Sequence, residues 1–194
     1  MNTVLRPALV LLVVLTVVTG ILYPLVVTGL AAVLFPHQAG GSLVMQEGKT
    51  IGSSLIGQSF SDPKYFWSRP SATSPQPNNG LASGGSNLGP LNPALTDAVK
   101  ARVEALRAAD PGNTAPLPVD LVTASASGLD PDISIAAANY QAQRVARVRG
   151  LQPQDVQALI AGHARGRLLG WLGEPRVNVL ELNLALDTLH APAK

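Results

Sequence analysis

The sequence predicts one N-terminal transmembrane helix followed by an α+β or α/β domain outside the cytoplasm. Three observations predict it: a long apolar run near the N-terminus, the near absence of charge before and within that run, and mixed helix and strand patterns after it. Arg6 is the only charged side chain among the first 36 residues. We therefore expect residues 1–7 to be a cytoplasmic N-terminus, 8–35 a transmembrane helix and 36–194 a soluble domain.

The apolar run extends from Ala8 to Phe35 without a charged residue. A helix of that length reaches roughly 42 Å, which exceeds the roughly 30 Å of a bilayer core. A cleaved signal peptide is the competing interpretation, but its apolar region spans only about 7 to 15 residues and ends at a small-residue site of the Ala-x-Ala kind. No such site follows Ala31-Ala32, so the pattern favours an uncleaved anchor.

The distribution of basic residues predicts the orientation of this helix. Arg6 and the terminal amine precede it, whereas no Lys or Arg follows it before Lys49. Basic residues flank membrane helices on the cytoplasmic side. We expect a single-pass protein of the cell (inner) membrane, with a cytoplasmic N-terminus and the soluble domain on the other side.

One face of the predicted helix carries small or helix-bending residues every four positions. These are Thr16, Gly20, Pro24 and Thr28. Small residues let a second helix approach closely in lipid, although Gly, Thr and Pro are also generally common in such helices. A packing face and chance spacing are both open, and Pro24 is expected to kink the helix in either case.

The first part of the soluble domain reads as a hairpin followed by a long irregular segment. Ser42–Met45 and Thr50-Ile51 are strand-like and are separated by a short turn. Residues 68–93 are rich in Ser, Pro, Asn and Gly. Such a segment is either a flexible linker or a functional loop, and composition alone favours the linker.

Three helices are predicted from their end signals. Asn92 and Pro93 can begin the first, which Asp110-Pro111-Gly112 ends. The second is expected from Ser134 to Arg149 with Gly150 beyond it, and the third from Pro153 to Gly162. Near the C-terminus, leucines alternate with other residues from Leu180 to Leu186, which predicts a half-buried strand.

Composition and motifs exclude several classes of function. Cysteine is absent, so there are no disulfides or thiolate nucleophiles. The net charge of +2 is no nucleic-acid footprint despite a pI near 9.2. No nucleotide-binding P-loop is present, and His37, His163 and His190 lack the spacing of helical metal ligands. Arg144, Arg147 and Arg149 are interpreted as a solvated helix end or as ion-pair partners rather than as a ligand site.

Taken in order, the motifs of the chain resemble those of one family. They cover the anchor and most of the domain, and the chain is similar to the C subunit (KdpC) of the Kdp potassium-transporting P-type ATPase. The resemblance rests on Gly20 with Tyr23-Pro24, Gly41-Ser42-Leu43, Leu55-Ile56-Gly57-Gln58, Arg69-Pro70-Ser71-Ala72, Ser83-Gly84-Gly85-Ser86-Asn87, Ala101-Arg102-Val103, the run from Val122 to Asp130, Arg144-Val145-Ala146 and the run from Val177 to Asp187.

The resemblance implies a non-catalytic accessory subunit of a high-affinity potassium uptake complex. Its partners would be an ATP-hydrolysing P-type subunit, a channel-like potassium-binding subunit and a small single-span subunit, besides membrane lipid. The chain would bind no cofactor or metal directly, because ATP and potassium would be handled by the partners. Two boxes are candidate partner contacts: Arg69, Pro70 and Ser71, and Ser83, Gly84, Gly85, Ser86 and Asn87.

The family is also described as raising the ATP affinity of the pump subunit, through a run likened to a nucleotide-binding signature. The corresponding stretch here, Leu151–Asp155, lacks a serine after the leucine and ends in Asp155. A domain outside the cytoplasm cannot touch ATP, so an effect on affinity would pass through the membrane helices as a coupling energy. A stand-alone membrane-anchored binding module of the cell envelope is the alternative function.

Overall fold

The N-terminal apolar run is helical from Ala8 to Leu34. The computed structural model describes residues 2–189 and divides them into two compact units, one ending at Ile51 and one beginning at Gly52. Residues Thr3–Leu34 form one helix of 32 residues, long and apolar enough to cross a membrane. The prediction of an apolar spanning-length helix is therefore confirmed, whereas the division at 7/8 and 35/36 stays a prediction.

This helix has a wide turn ahead of Pro24. Helix α1 (Asn2–Val17) passes into a π-helical segment, Val18–Leu22, which continues as α2 (Tyr23–Leu34). Proline lacks an N–H and its ring collides with the carbonyl four residues earlier, which here belongs to Gly20 within the π segment. The irregularity expected at Pro24 thus takes the form of a π segment that contains Gly20.

A short helix and a hairpin complete the first unit. Helix α3 (Pro36–Ala39) follows the long helix, and strands β1 (Leu43–Gln46) and β2 (Lys49–Ser53) pair with each other. Glu47 and Gly48 both have positive φ, 50° and 77°, as the tight turns of two-residue hairpins require. The predicted hairpin is confirmed.

The second unit is a mixed domain of helices and strands. Its helices are α4 (Pro93–Ala109), α5 (Ile135–Arg149), α6 (Pro153–His163) and α7 (Val179–Thr188). Strands β3 (Asp132–Ser134), β4 (Ala164–Arg165) and β5 (Arg176–Asn178) form an antiparallel sheet in the order β3-β5-β4, with Val177 opposite both Ile133 and Ala164. The antiparallel pairing favours α+β over α/β.

The predicted helix ends are confirmed at the three N-termini. The Asn92 side chain accepts from the Ala94 N–H, and the Ser134 side chain accepts from the Ala137 N–H. Gly150 follows α5 in the left-handed conformation at φ 66°. Helix α6 begins at Pro153 and ends at His163, one residue beyond the predicted end.

The predicted C-terminal strand is wrong beyond Asn178. Only Arg176–Asn178 is extended, and Leu180, Leu182, Leu184 and Leu186 lie in α7. The Asn178 side chain accepts from the Glu181 N–H and so caps this helix. The buried positions of α7 recur at helical spacing: Val179, Leu180, Leu182, Asn183 and Leu186.

The core of this unit surrounds a stretch outside the helices and strands that we call the clamped segment, residues 63–68. Polar side chains bind its buried backbone: the Phe66 N–H and C=O meet the Asn183 amide at 2.9 and 3.0 Å, and those of Trp67 meet the Gln141 amide at 2.8 and 3.1 Å. Phe66, Asn183 and Gln141 are 2% exposed or less. Two helices therefore hold this segment as a sheet neighbour would.

Arg144 belongs to the same arrangement and corrects one prediction. It is 2% exposed, donates to the carbonyls of Pro63 and Tyr65, and lies 5.0 Å from the ring centre of Trp67. Burial lowers the pKa of Arg144 to about 10, which leaves it charged at neutral pH. The interpretation of Arg144 as solvated is wrong, whereas Arg147 and Arg149 form the expected ion pairs, with Asp110 at 2.7 Å and Asp187 at 2.6 Å.

Candidate functional site

Residues from both predicted contact boxes meet a third segment on the surface of the second unit. We call this the loop platform: residues 69–79, 83–85 and 125–130. The Ser71 hydroxyl donates to the Gly128 carbonyl at 2.7 Å, and the Gly84 N–H donates to the Ser127 carbonyl at 2.8 Å. The Ser83 hydroxyl reaches the same Ser127 carbonyl at 3.1 Å. The interpretation of residues 68–93 as a flexible linker is therefore wrong for the part that lies in the platform.

Two hydroxyl groups organise the first loop of the platform. The Ser71 and Thr73 hydroxyls lie 3.0 Å apart, and they accept from the backbone N–H groups of Asn78 and Asn79 at 2.9 and 3.0 Å. The Thr73 hydroxyl also donates to the Gln76 carbonyl at 2.8 Å. Short polar side chains thus satisfy loop backbone that has no strand or helix neighbour.

Glycine is required where two segments of the platform cross. Gly128 has φ +67°, and a Cβ there would lie 2.6 Å from both the Gly84 carbonyl oxygen and the Thr73 methyl group. A Cβ at Gly85 would lie 3.0 Å from the Ala126 carbonyl oxygen. Gly85 therefore permits a close approach of the second box to Ala126, whereas a Cβ at Gly84 would meet nothing within 4 Å.

An ion pair within the platform borders two clefts. Arg69 Nη1 lies 2.8 Å from Asp130 Oδ2. One cleft, of about 530 Å³, is lined by both residues together with Asp120, Asp132, Glu174 and Arg176. The other, of about 600 Å³, is lined by the pair together with Leu55, Ile56, Ser125 and Ser127. The platform thus presents an ordered, charged and concave surface.

The first cleft contains further paired charges. Asp132 lies 2.8 Å from Arg176, and Asp120 accepts from the Ser134 N–H at 2.7 Å. Burial raises the pKa of the Asp132 carboxyl above its ordinary value of 3.8, against the lowering effect of the Arg176 guanidinium. Among the described residues, neither Asp132 Oδ1 nor Arg69 Nε has a hydrogen-bond partner although both atoms are buried.

The structure separates the predicted contact residues into two groups. Arg69, Ser71, Gly84 and Gly85 lie within the hydrogen-bonded platform, and Pro70 is half-buried beside them. Ser86 and Asn87 are exposed. Sequence reasoning missed Asp120, Asp132 and Arg176 as cleft residues, because they come from three distant parts of the chain. The spacing of Asp130 and Asp132 around Pro131, at the start of β3, was the one local signal.

The predicted membrane face lies in the first unit and is exposed there. Gly20 falls in the π segment, and a Cβ built on it meets nothing within 4 Å. Thr28 lines a concave notch of about 540 Å³ together with small residues of the helix end: Val27, Ala31, Ala32, Pro36, Ala39 and Gly40. These positions leave room for a neighbouring helix, and the packing face stays a prediction.

The remaining candidate groups have structural surroundings. His163 ends α6, with its Nδ1 2.9 Å from the Leu159 carbonyl, while His190 lies outside the described residues. Over residues 2–189, no three His, Asp or Glu side chains are placed to share a metal ion. In the stretch Leu151–Asp155 the leucine is buried and the other side chains are exposed at the start of α6.

Comparison with known proteins covers almost the entire chain. The sequence profile of the family described as KdpC, K+-transporting ATPase, c chain, matches residues 5–188. A potassium-transporting ATPase KdpC subunit of Variovorax paradoxus is 73% identical over 98% of this chain and 99% of its own length. Those of Methylibium petroleiphilum and Polaromonas naphthalenivorans are each 68% identical, over 96% and 97% of this chain and 98% and 96% of their own.

Proposed function

Because the chain belongs to the KdpC family of potassium-transporting ATPase subunits, we propose that it is a non-catalytic accessory subunit that stabilises such a complex. The observation that carries the proposal is the extent of the match, which includes both the apolar helix and the second unit. A subunit that is both membrane-anchored and folded outside the bilayer can bind its partners at two separate surfaces.

The sequence supports an accessory role. It lacks the Asp-Lys-Thr-Gly-Thr box in which P-type pumps are phosphorylated and the repeated filter loops that strip potassium of water. ATP hydrolysis and potassium selection then belong to partners: an ATP-hydrolysing P-type subunit and a channel-like subunit, accompanied by a small single-span subunit. This chain contributes binding energy to the assembly and binds no cofactor itself.

The membrane helix is the first of the two contact surfaces. With Arg6 on the cytoplasmic side, the second unit lies outside the cytoplasm. The ATP that the pump subunit binds is then on the opposite side of the bilayer from the second unit. Thr16, Gly20, Pro24 and Thr28 then pack against a partner helix, and any effect on ATP affinity passes through that contact. Protease added to intact spheroplasts tests the orientation, since it digests the domain only if the domain is outside.

The loop platform is the second contact surface. It is rigidly hydrogen-bonded yet exposed, and its clefts offer both charges and apolar walls. Such preorganised loops lose little conformational entropy when they bind.

Affinity purification of the tagged full chain from native membranes, read by mass spectrometry, tests this function. We expect the P-type and channel-like subunits to co-purify in equal amounts with the chain. Recovery of the chain without them would overturn the proposal and favour the alternative, a stand-alone envelope binding module. A paired measurement of ATPase activity with and without the chain then reports its effect on the pump's KM for ATP.

A further inference from the structure

The connection between β4 and β5 carries an exposed apolar hairpin. We call its end the apolar tip, residues 168–172. Its four large side chains, Leu168, Leu169, Trp171 and Leu172, are 62%, 78%, 71% and 48% exposed. Four large apolar side chains exposed within five residues are unusual on a soluble surface, where clustered apolar exposure marks binding or membrane-interaction sites.

The apolar tip is an ordered structure. Leu168 and Leu172 exchange two backbone hydrogen bonds of 2.9 Å, and the N–H groups of Gly170 and Trp171 donate to the carbonyls of Arg167 and Leu168. Leu169 and Gly170 have φ of 55° and 81°, which close the turn. An ion pair between Arg167 and Glu174, 2.9 Å long, crosses the hairpin just below the tip.

We propose that the apolar tip inserts into the interfacial region of the lipid bilayer that anchors the chain. Four of the five backbone N–H groups at residues 168–172 have partners within the hairpin, which insertion into lipid demands because unsatisfied polar groups are costly there. Residues Leu168–Gly173 carry no charge. Trp and Leu at a protruding turn are the side chains that the membrane interface favours.

The chain connection keeps this surface near a membrane. Only residues 35–51 separate the apolar helix from the second unit, and a fully extended chain of that length reaches at most about 60 Å. The tether raises the effective concentration of the domain at the bilayer, so even a weak insertion is populated. This argument holds on either side of the membrane and does not depend on the pump assignment.

Charge is not the source of the proposed binding. At the base of the hairpin Arg165 is paired with Glu181 at 2.5 Å, and Arg176 is paired with Asp132 at 2.8 Å. These guanidinium groups already have carboxylate partners. We therefore expect insertion into neutral phosphatidylcholine, with less than about a twofold gain when anionic phosphatidylglycerol is added.

Tryptophan fluorescence of the full chain in phosphatidylcholine vesicles tests the proposal. The chain has two tryptophans, and Trp67 is only 7% exposed, so the signal of Trp171 is the difference between the wild type and Trp171→Phe. We expect this difference signal to be quenched by phosphatidylcholine that carries a nitroxide at a shallow acyl position, and to be protected from aqueous iodide.

Two leucine variants form a matched pair for the same measurement. Leu169→Asp is expected to lower the equilibrium constant for insertion at least about tenfold, because a carboxylate strongly opposes transfer into lipid. Leu91→Asp changes a leucine that is 96% exposed outside the tip and should leave the quenching unchanged.

Three results would overturn the proposal. The first is full iodide access to Trp171 in vesicles that contain the chain alone. The second is iodide protection that appears only after partner subunits are added, which would make the apolar tip a protein interface. The third is equal lipid quenching in the two leucine variants.

Discussion

Replacing Asn183 by leucine should destabilise the second unit strongly while keeping the number and branching of the side-chain heavy atoms. Asn183 is 2% exposed, and its amide satisfies both the N–H and the C=O of Phe66. Each buried backbone group left without a partner costs about 1–3 kcal/mol, so the pair costs about 2–6 kcal/mol. Burial of the leucine methyl groups recovers roughly 1–2 kcal/mol. The midpoints of these ranges leave an expected net loss of about 2–3 kcal/mol in the free energy of unfolding.

Urea unfolding of the full chain in detergent, followed by Trp67 fluorescence, measures this loss. A domain of this size has a slope of about 1–3 kcal/mol per molar urea, so the midpoint should fall by roughly 1–3 M. Gln154→Leu is the control, because Gln154 is exposed at the start of α6 and such changes stay within about 0.5 kcal/mol. A midpoint for Asn183→Leu within the error of that control would refute the role of the amide in the clamped segment.

Three further predictions test other features. Gly128→Ala should lower the stability by about 2–4 kcal/mol in thermal unfolding, because the alanine would combine a positive φ with contacts of 2.6 Å. Gly112→Ala is the control and should be neutral, since a Cβ there meets nothing within 4 Å. Equal melting points of the two variants would contradict the close crossing of segments in the loop platform. Gly20→Ile should reduce recovery of partner subunits in detergent more than Leu11→Ile. A Cβ at Gly20 touches nothing in the chain itself, so the larger side chain would obstruct only a neighbouring helix. Equal recovery with the two variants would reject the packing face. Because the pKa of the Asp132 carboxyl is raised, the folded state binds its proton more tightly than the unfolded state does. The stability of the wild type relative to Asp132→Asn should therefore rise as the pH falls from about 7 towards 4. If the difference in stability between the two proteins were constant with pH, the carboxyl would be unperturbed.

Local signals predicted the ends of the helices correctly. Asn92 before Pro93, Ser134, and Gly150 act through the few backbone groups next to them, so the sequence nearby contains the whole interaction. The same reasoning could have found α7, because Asn178 stands three residues before Glu181 in the pattern of a capped helix. The alternating leucines concealed this signal, since both faces of α7 near Leu180 and Leu182 are covered by other elements.

Long-range contacts account for the predictions that were wrong. Arg144 is buried because the carbonyls of Pro63 and Tyr65, about eighty residues earlier, accept from it. The Ser, Pro and Gly composition of residues 68–93 concealed an ordered loop, because its partners Ser127 and Gly128 lie some forty to sixty residues further along the chain. Such pairings leave no periodic pattern in the sequence, and the clefts they form could not be predicted from it.

The clamped segment also determines when the domain can finish folding during synthesis. The partners of Phe66 lie 117 residues later, in the last helix of the described chain. Until that helix has left the ribosome, Phe66 lacks its amide partner, whereas Trp67 gains its own, Gln141, 74 residues after itself. Ribosomes add about 5–20 residues per second, so the backbone of Phe66 stays without this partner for roughly 6–23 s. The nascent domain therefore depends on whatever shields its apolar residues during that interval.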